Sequence, residues 1–256
     1  LFGKRITLYA ICSLIGILVV FAFQQIYTKK KGHNEIFMLF VLLYAAIGVF
    51  LGGHILYALT MHKYLFAFVK KIKEIDNFEE IFKWLITIFG GSVFYGGLFG
   101  GIIFAYFYLK KQKFDIDPYV GIGTLCIPLF HFFGRIGCFL SGCCYGIECG
   151  FGVYFKYSSA PGCQDVKRFP VQLIEALILL VIFLVLLWQY DKKNKTGKFI
   201  FKLYLFLYSF CRFFLEFFRG DDYRGFIGFF STSQIISIII FVIVLLWTIR
   251  DIKIKN

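Results

Sequence analysis

The feature that most constrains this chain of 256 residues is its division into apolar runs of nearly bilayer length. A helix needs about 20 apolar residues to cross the hydrocarbon core, and only helices or closed barrels satisfy their backbone polar groups there. Seven runs meet the requirement, at about 6–25, 36–60, 82–109, 118–141, 170–190, 199–219 and 231–249. The hydrophobic share is 59%, against about 45–50% for a soluble domain. The fold class expected is therefore an all-α polytopic membrane protein of about seven transmembrane helices, in one domain spanning 1–256. The fourth run is rich in Gly and is expected to be broken or partly re-entrant. Residues 61–80 are too polar to span, but Leu65, Phe66, Val69, Ile72 and Ile75 recur near helical spacing. That pattern predicts a helix lying in the membrane interface on the outward side. No small-residue cleavage site follows the first run, so it is expected to be retained.

Charge sets the orientation. The formal net charge is +13, yet the Lys and Arg residues fall in short runs between apolar spans. Anionic headgroups of the bilayer are therefore the expected partner, and nucleic acid is not. The compact basic runs lie at 29–31, 110–113, 192–198 and 250–256. Seven spans put all four on one side, which the positive-inside rule makes cytoplasmic. The N-terminus and the loops about 142–168 and 220–225 then face outwards. Lys4, Arg5, Lys70, Lys71 and Lys73 oppose this assignment, and the interfacial helix accommodates the last three.

Ionisable groups inside spans cost about 2.5–3.5 kcal/mol each on insertion scales, so each asks for a reason. Arg135 stands in Gly134-Arg135-Ile136-Gly137. Flanking Gly residues allow close backbone approach, and a guanidinium in such a site suits bidentate phosphate binding. A snorkelling or carboxylate-paired Arg is the alternative. Arg212, Glu216 and Arg219 follow at i, i+4 and i+7 among Phe residues, which predicts one charged helix face with a surplus positive charge. Gln172 and Glu175 share a face after Pro170, which is able to open a helix at its first turn. Gly96 and Gly100 have the spacing of a helix-packing motif. Cys138, Cys143, Cys144 and Cys149 lack the paired spacing of zinc knuckles. Small packing residues, or an outward disulfide using Cys149 and Cys163, are expected ahead of a metal site or a catalytic thiolate. No metal and no cofactor is expected.

In order, these motifs resemble the bacterial prolipoprotein diacylglyceryl transferase family, over nearly the whole chain. The resemblance rests on ITLYAI at 6–11, GVFLGGHILYAL at 48–59, YGGLFGG at 95–101, GRIGCFLSG at 134–142, RFPVQLIEA at 168–176, RFFLEFFRGDD at 212–222 and TSQIIS at 232–237. It implies transfer of the diacylglyceryl group of phosphatidylglycerol to the lipobox cysteine of a prolipoprotein, in the bacterial plasma membrane. Arg135, Arg212, Tyr95 and Glu216 would then be catalytic. Tyr9, Gly96, Gly97, Gly134, Gly137, Gln172, Glu175 and Arg219 would bind lipid or substrate.

The chain departs from the family pattern at several of these positions. His54 stands where an Arg is usual, Tyr95 where the family has its catalytic His, and Cys138, Ser141 and Cys143 where it has Asn, Asn and an acidic residue. Two other readings follow from these departures. One is transfer of a lipid-derived group to another envelope acceptor, such as a glycan hydroxyl. The other is a lipid-binding or transport protein without chemistry.

Overall fold

A computed structural model describes residues 7–72, 77–91, 93–156, 158, 160, 163, 166–221 and 225–255. Lys4, Arg5, Ile6, Lys73, Ile75, Asp222 and parts of the segments 61–80, 142–168 and 220–225 lie outside the described residues. In chain order the helices are α1 (Leu8–Lys30), α2 (Glu35–Thr60), α3 (His62–Lys71), α4 (Phe78–Phe89), α5 (Phe94–Lys110), α6 (Asp117–Ser141), α7 (Val171–Asp191), α8 (Gly197–Leu215) and α9 (Thr232–Lys255). Short extended pieces, β1 (Glu148–Val153), β2 (Phe226–Ile227) and β3 (Phe230–Ser231), occupy the loops.

Local chemistry fixes the helix ends. Thr7, Asn34 and Thr196 each accept a hydrogen bond from a first-turn amide of α1, α2 and α8, relieving donors that no helical carbonyl can reach. Gly32, at φ +72°, closes α1. Helix α6 closes likewise on Gly142, at φ +68°. There the Gly142 amide donates to Phe139 O at 3.1 Å and the Cys143 amide to Cys138 O at 3.1 Å. This pair of bonds is a Schellman motif, with Gly in the left-handed position that an L side chain resists.

Among the described residues, α1, α2, α6, α7 and α9 are long and apolar enough to cross a membrane. Their outer faces carry large bare side chains such as Leu18, Phe50 and Leu246, as expected where lipid is the solvent. The chain is a helical, multi-pass membrane protein. Two of the seven expected spans differ. The run at 82–109 is not one helix: it stops at Phe89, where Gly90 and Gly91 interrupt it, and resumes at Phe94. The run at 199–219 is helical only to Leu215, then tightens into a 3-10 turn over Glu216–Phe218. The fourth run, by contrast, forms the unbroken helix α6 with Pro128 inside it.

The chain forms two compact units. In residues 34–116, α2 and α5 pack along their length. A Cβ on Gly96 would meet the Gly52 backbone, and one on Gly100 the Gly48 backbone. The small residues therefore bring backbone against backbone, as the packing motif predicts. The amphipathic segment is α3, with Tyr64, Phe66 and Val69 exposed along it.

In the second unit, residues 1–33 and 117–256, α6 packs against α1, α7 and α8, and α8 packs against α9. Its basic end is tied by Lys31 to Asp191 at 2.6 Å, by Lys202 to Asp251 at 2.6 Å, and by Asp117, which accepts from the Gly197 and Lys198 amides. The sites discussed next lie at the opposite ends of the same helices.

Candidate active site

Glu175, in the second turn of α7, is almost fully buried and is the hub of the site. Its Oε1 accepts from Arg135 Nη2 of α6 at 2.9 Å and from the Tyr208 hydroxyl of α8 at 3.3 Å. Its Oε2 accepts from Arg212 Nη1 of α8 at 3.3 Å. Arg212 also pairs with Glu216 at 2.6 Å, and its Nη2 donates to the Ser233 hydroxyl at 3.3 Å, in the first turn of α9. One carboxylate of α7 thus gathers groups from α6 and α8. Charge-assisted bonds of this kind are roughly twice as strong as neutral ones and fix the guanidiniums in place.

Arg219 is not on this helix face. The 3-10 turn ends before it and its backbone is extended, so the i+7 relation to Arg212 does not form. It makes a bidentate pair with Asp221, Nε to Oδ1 and Nη2 to Oδ2, both at 2.7 Å. The surplus charge expected at 212–219 is consequently absent. Arg135, Arg212 and Arg219 are met by Glu175, Glu216 and Asp221. The pairs leave particular atoms unused: among the described residues, Arg135 Nε and Gln172 Oε1 are buried without a hydrogen-bond partner. Gln172 spends its amide nitrogen on Cys143 O at 2.8 Å.

The glycines beside Arg135 separate into two roles. A Cβ on Gly134 would meet nothing within 4 Å, so this flank is open. A Cβ on Gly137 would come 3.1 Å from Tyr9 Cδ2 and 3.2 Å from Cys12 Cβ. Gly137 therefore lets α1 approach α6, and Tyr9 packs against it. Pro170 precedes α7 as its cap residue, one position earlier than a first-turn Pro.

His131 was not singled out as a site residue in the sequence. It lies one turn before Arg135, and its Nε2 is 4.0 Å from Glu175 Oε1. The i, i+4 relation to an intramembrane Arg was the available signal. Tyr95, Gly96 and Gly97 belong to the other unit, at the start of α5. In that unit His54 Nδ1 lies 2.7 Å from Phe89 O. A carbonyl only accepts, so Nδ1 carries the proton there.

The eight cysteines are free thiols, Cys149 and Cys163 among them, so the expected alternative of a disulfide is not realised. Cys163 instead donates to Gly142 O at 3.3 Å. Beyond the end of α6, the Cys144 thiol is held well below the ordinary thiol range. The Cys138 and Cys143 thiols both donate to it, and Arg219 and Arg135 favour its charged form.

A buried arginine–carboxylate cage at one end of a membrane helix bundle suits an enzyme handling a lipid headgroup anion. Comparison with known proteins identifies the family. The model of the prolipoprotein diacylglyceryl transferase family matches residues 1–250, and the chain belongs to that family. It is 33% identical over 244 residues to the phosphatidylglycerol–prolipoprotein diacylglyceryl transferase of Clostridium tetani, covering 95% of this chain and 92% of that one. Enzyme 2 of that name from Clostridium perfringens is 32% identical over 257 residues, covering 99% and 94%. The Campylobacter lari enzyme of the same name is 29% identical over 265 residues, covering 100% and 93%.

Proposed function

We propose that this protein transfers the diacylglyceryl group of phosphatidylglycerol to the lipobox cysteine of a prolipoprotein. A thiolate sulfur attacks the glyceryl carbon that bears the phosphate ester. The carbon–oxygen bond breaks, a thioether forms, and glycerol phosphate leaves with the negative charge. The observation that carries this reading is the Arg135 side chain, buried and clamped through Nη2 while its Nε has no hydrogen-bond partner. That edge fits a phosphate oxygen on which charge grows as the bond breaks. Arg212 and Arg219 supply further guanidinium groups, which Glu175, Glu216 and Asp221 hold in register. Gln172, Tyr9 and Gly137 shape the wall.

The acceptor thiol must lose a proton, and a free thiol is only a few per cent ionised at neutral pH. Tyr95, with Gly96 and Gly97 beside it, stands where the resemblance puts the catalytic base. A second reading is favoured by the contact of His131 with Glu175, which makes the imidazole the proton acceptor within the cage.

The membrane is the bacterial plasma membrane. Helices α5 and α8 complete a seven-span arrangement with the N-terminus outside and the C-terminus in the cytoplasm. The Lys runs at one end of the second unit support this sign, because positive loops stay inside. They set the cage on the outward face, where a prolipoprotein arrives, and leave α3 in the interface. The test is incubation of purified protein with labelled phosphatidylglycerol and a lipobox peptide. Lipidated peptide with released glycerol phosphate is the expected result. Phosphatidylglycerol consumed without lipidated peptide would move the acceptor to another envelope group, and neither product would sink the transferase reading.

A further inference from the structure

Two of the residues at which the chain departs from its family's pattern, Cys138 and Cys143, converge in space with Cys144. The Sγ atoms of Cys138, Cys143 and Cys144 all lie within 4.8 Å of one another. The cause is the cap of α6. Its Schellman bonds fold Cys143 back over Cys138, whose carbonyl accepts from the Cys143 amide and lies 3.7 Å from the Cys143 sulfur. Cys144 then adopts φ +56°, a left-handed conformation uncommon for a residue with a side chain, and one that clusters at functional sites. This is more order than three small packing residues need.

We propose that Cys138, Cys143 and Cys144 form a three-thiolate site for one soft d10 cation of the Zn(II) or Cu(I) class. Three thiolates at about 2.3 Å from a shared ion stand roughly 3.8–4.0 Å apart. The sulfurs therefore need to close by less than about 1 Å, within the reach of side-chain torsions. Softness selects the metal: sulfur donors favour Zn(II) and Cu(I) over the hard cations that take oxygen. The setting selects the charge. Three thiolates around such an ion leave a net negative complex, and Arg135 and Arg219 bear on Cys144 from the neighbouring cage. Binding releases the thiol protons to solvent and changes no oxidation state. Metal binding also fixes the 138–144 turn whose Cys143 carbonyl anchors Gln172, stiffening one wall of the cage.

The experiment uses the full chain, purified in detergent and reduced with a phosphine, then titrated separately with Zn(II), with Cu(I) and with Cd(II) as an optical probe. One equivalent of Cd(II) is expected to give ultraviolet sulfur-to-metal charge-transfer absorption. Either Zn(II) or Cu(I) is expected to displace it, which also tells the two apart. Cys143→Ser and Cys144→Ser should each weaken binding at least tenfold, while Cys149→Ser keeps it. Circular dichroism confirms that each variant is folded, and Cys144→Ala offers a second loss of the same ligand. Absence of the absorption at one equivalent, or its survival in both Cys143→Ser and Cys144→Ser, overturns the proposal. The readout is metal binding, so its result stands whether or not the lipid-transfer assay gives product.

Discussion

Glu175→Gln probes the logic of the cage most directly. The carboxylate is 1% exposed and accepts from two guanidiniums and a tyrosine hydroxyl. Gln keeps the shape and one acceptor oxygen, but removes the charge and turns an NH2 group towards an arginine. Removing one partner of a buried ion pair costs about 3–5 kcal/mol. Gln retains part of the bonding, and Arg212 retains Glu216, so the low end, about 3 kcal/mol, is expected. For a chain of this size, that loss lowers the apparent Tm by about 6–12 °C. If the same energy is lost from the positioning of Arg135 and Arg212 in the transition state, kcat/KM for lipobox-peptide lipidation falls about 100-fold. Thermal unfolding in detergent and the labelled-lipid assay measure the two quantities. Adding Arg212→Met should cost less than the sum of the single changes, because the pair is coupled by about 0.5–3 kcal/mol. A Glu175→Gln protein with wild-type Tm and turnover within twofold would refute the hub.

Arg135→Ala and Arg212→Ala should each lower turnover by at least two decades, about 2.7 kcal/mol or more, in a protein whose circular dichroism is unchanged. Near-normal turnover in either removes the phosphate pocket. Tyr95→Phe and His131→Gln divide the proton-transfer role: a loss of about 10²–10⁴-fold in only one of them, read as kcat against pH, names the base. Gly52→Val should destabilise the α2–α5 pair by about 1–3 kcal/mol, because the new side chain meets the Gly96 carbonyl. An unchanged Tm would contradict backbone contact there.

Much of the site could be read from the sequence because buried charge is costly and has to be explained. Arg135, Glu175, Arg212 and Glu216 stood out in apolar runs, and they do converge. Arg219 was misplaced because helical spacing was extended through a 3-10 turn that only the packing reveals. Its partner Asp221 lay two residues on, in what read as a loop. The break in the third run was written in Gly90 and Gly91, but Gly in membrane helices is common enough that continuity looked equally good. The cysteine cluster escaped because zinc-knuckle spacing was the template. The sign was Gly142 after Ser141, since a Schellman cap returns the second residue past the helix to its last turn. The relation of Gly137 to Tyr9 needed the helices to be assembled, because a glycine that makes room for a ligand looks the same in sequence as one that makes room for a neighbouring helix.

The opposition between a lysine-bound end and a cage-bearing end has an electrical consequence. If the cage carries the chemistry, as proposed, the phosphate that arrives with the lipid and the phosphate that leaves with glycerol use the same membrane face. The thiol proton is released there too. On that proposal no charge crosses the dielectric during a cycle, and the membrane voltage would do no work on the reaction. A voltage of 100 mV is worth about 2.3 kcal/mol to each elementary charge that crosses, yet none of it is added to or subtracted from this barrier. Proteoliposomes should lipidate peptide at the same rate whether polarised, depolarised or reversed in sign.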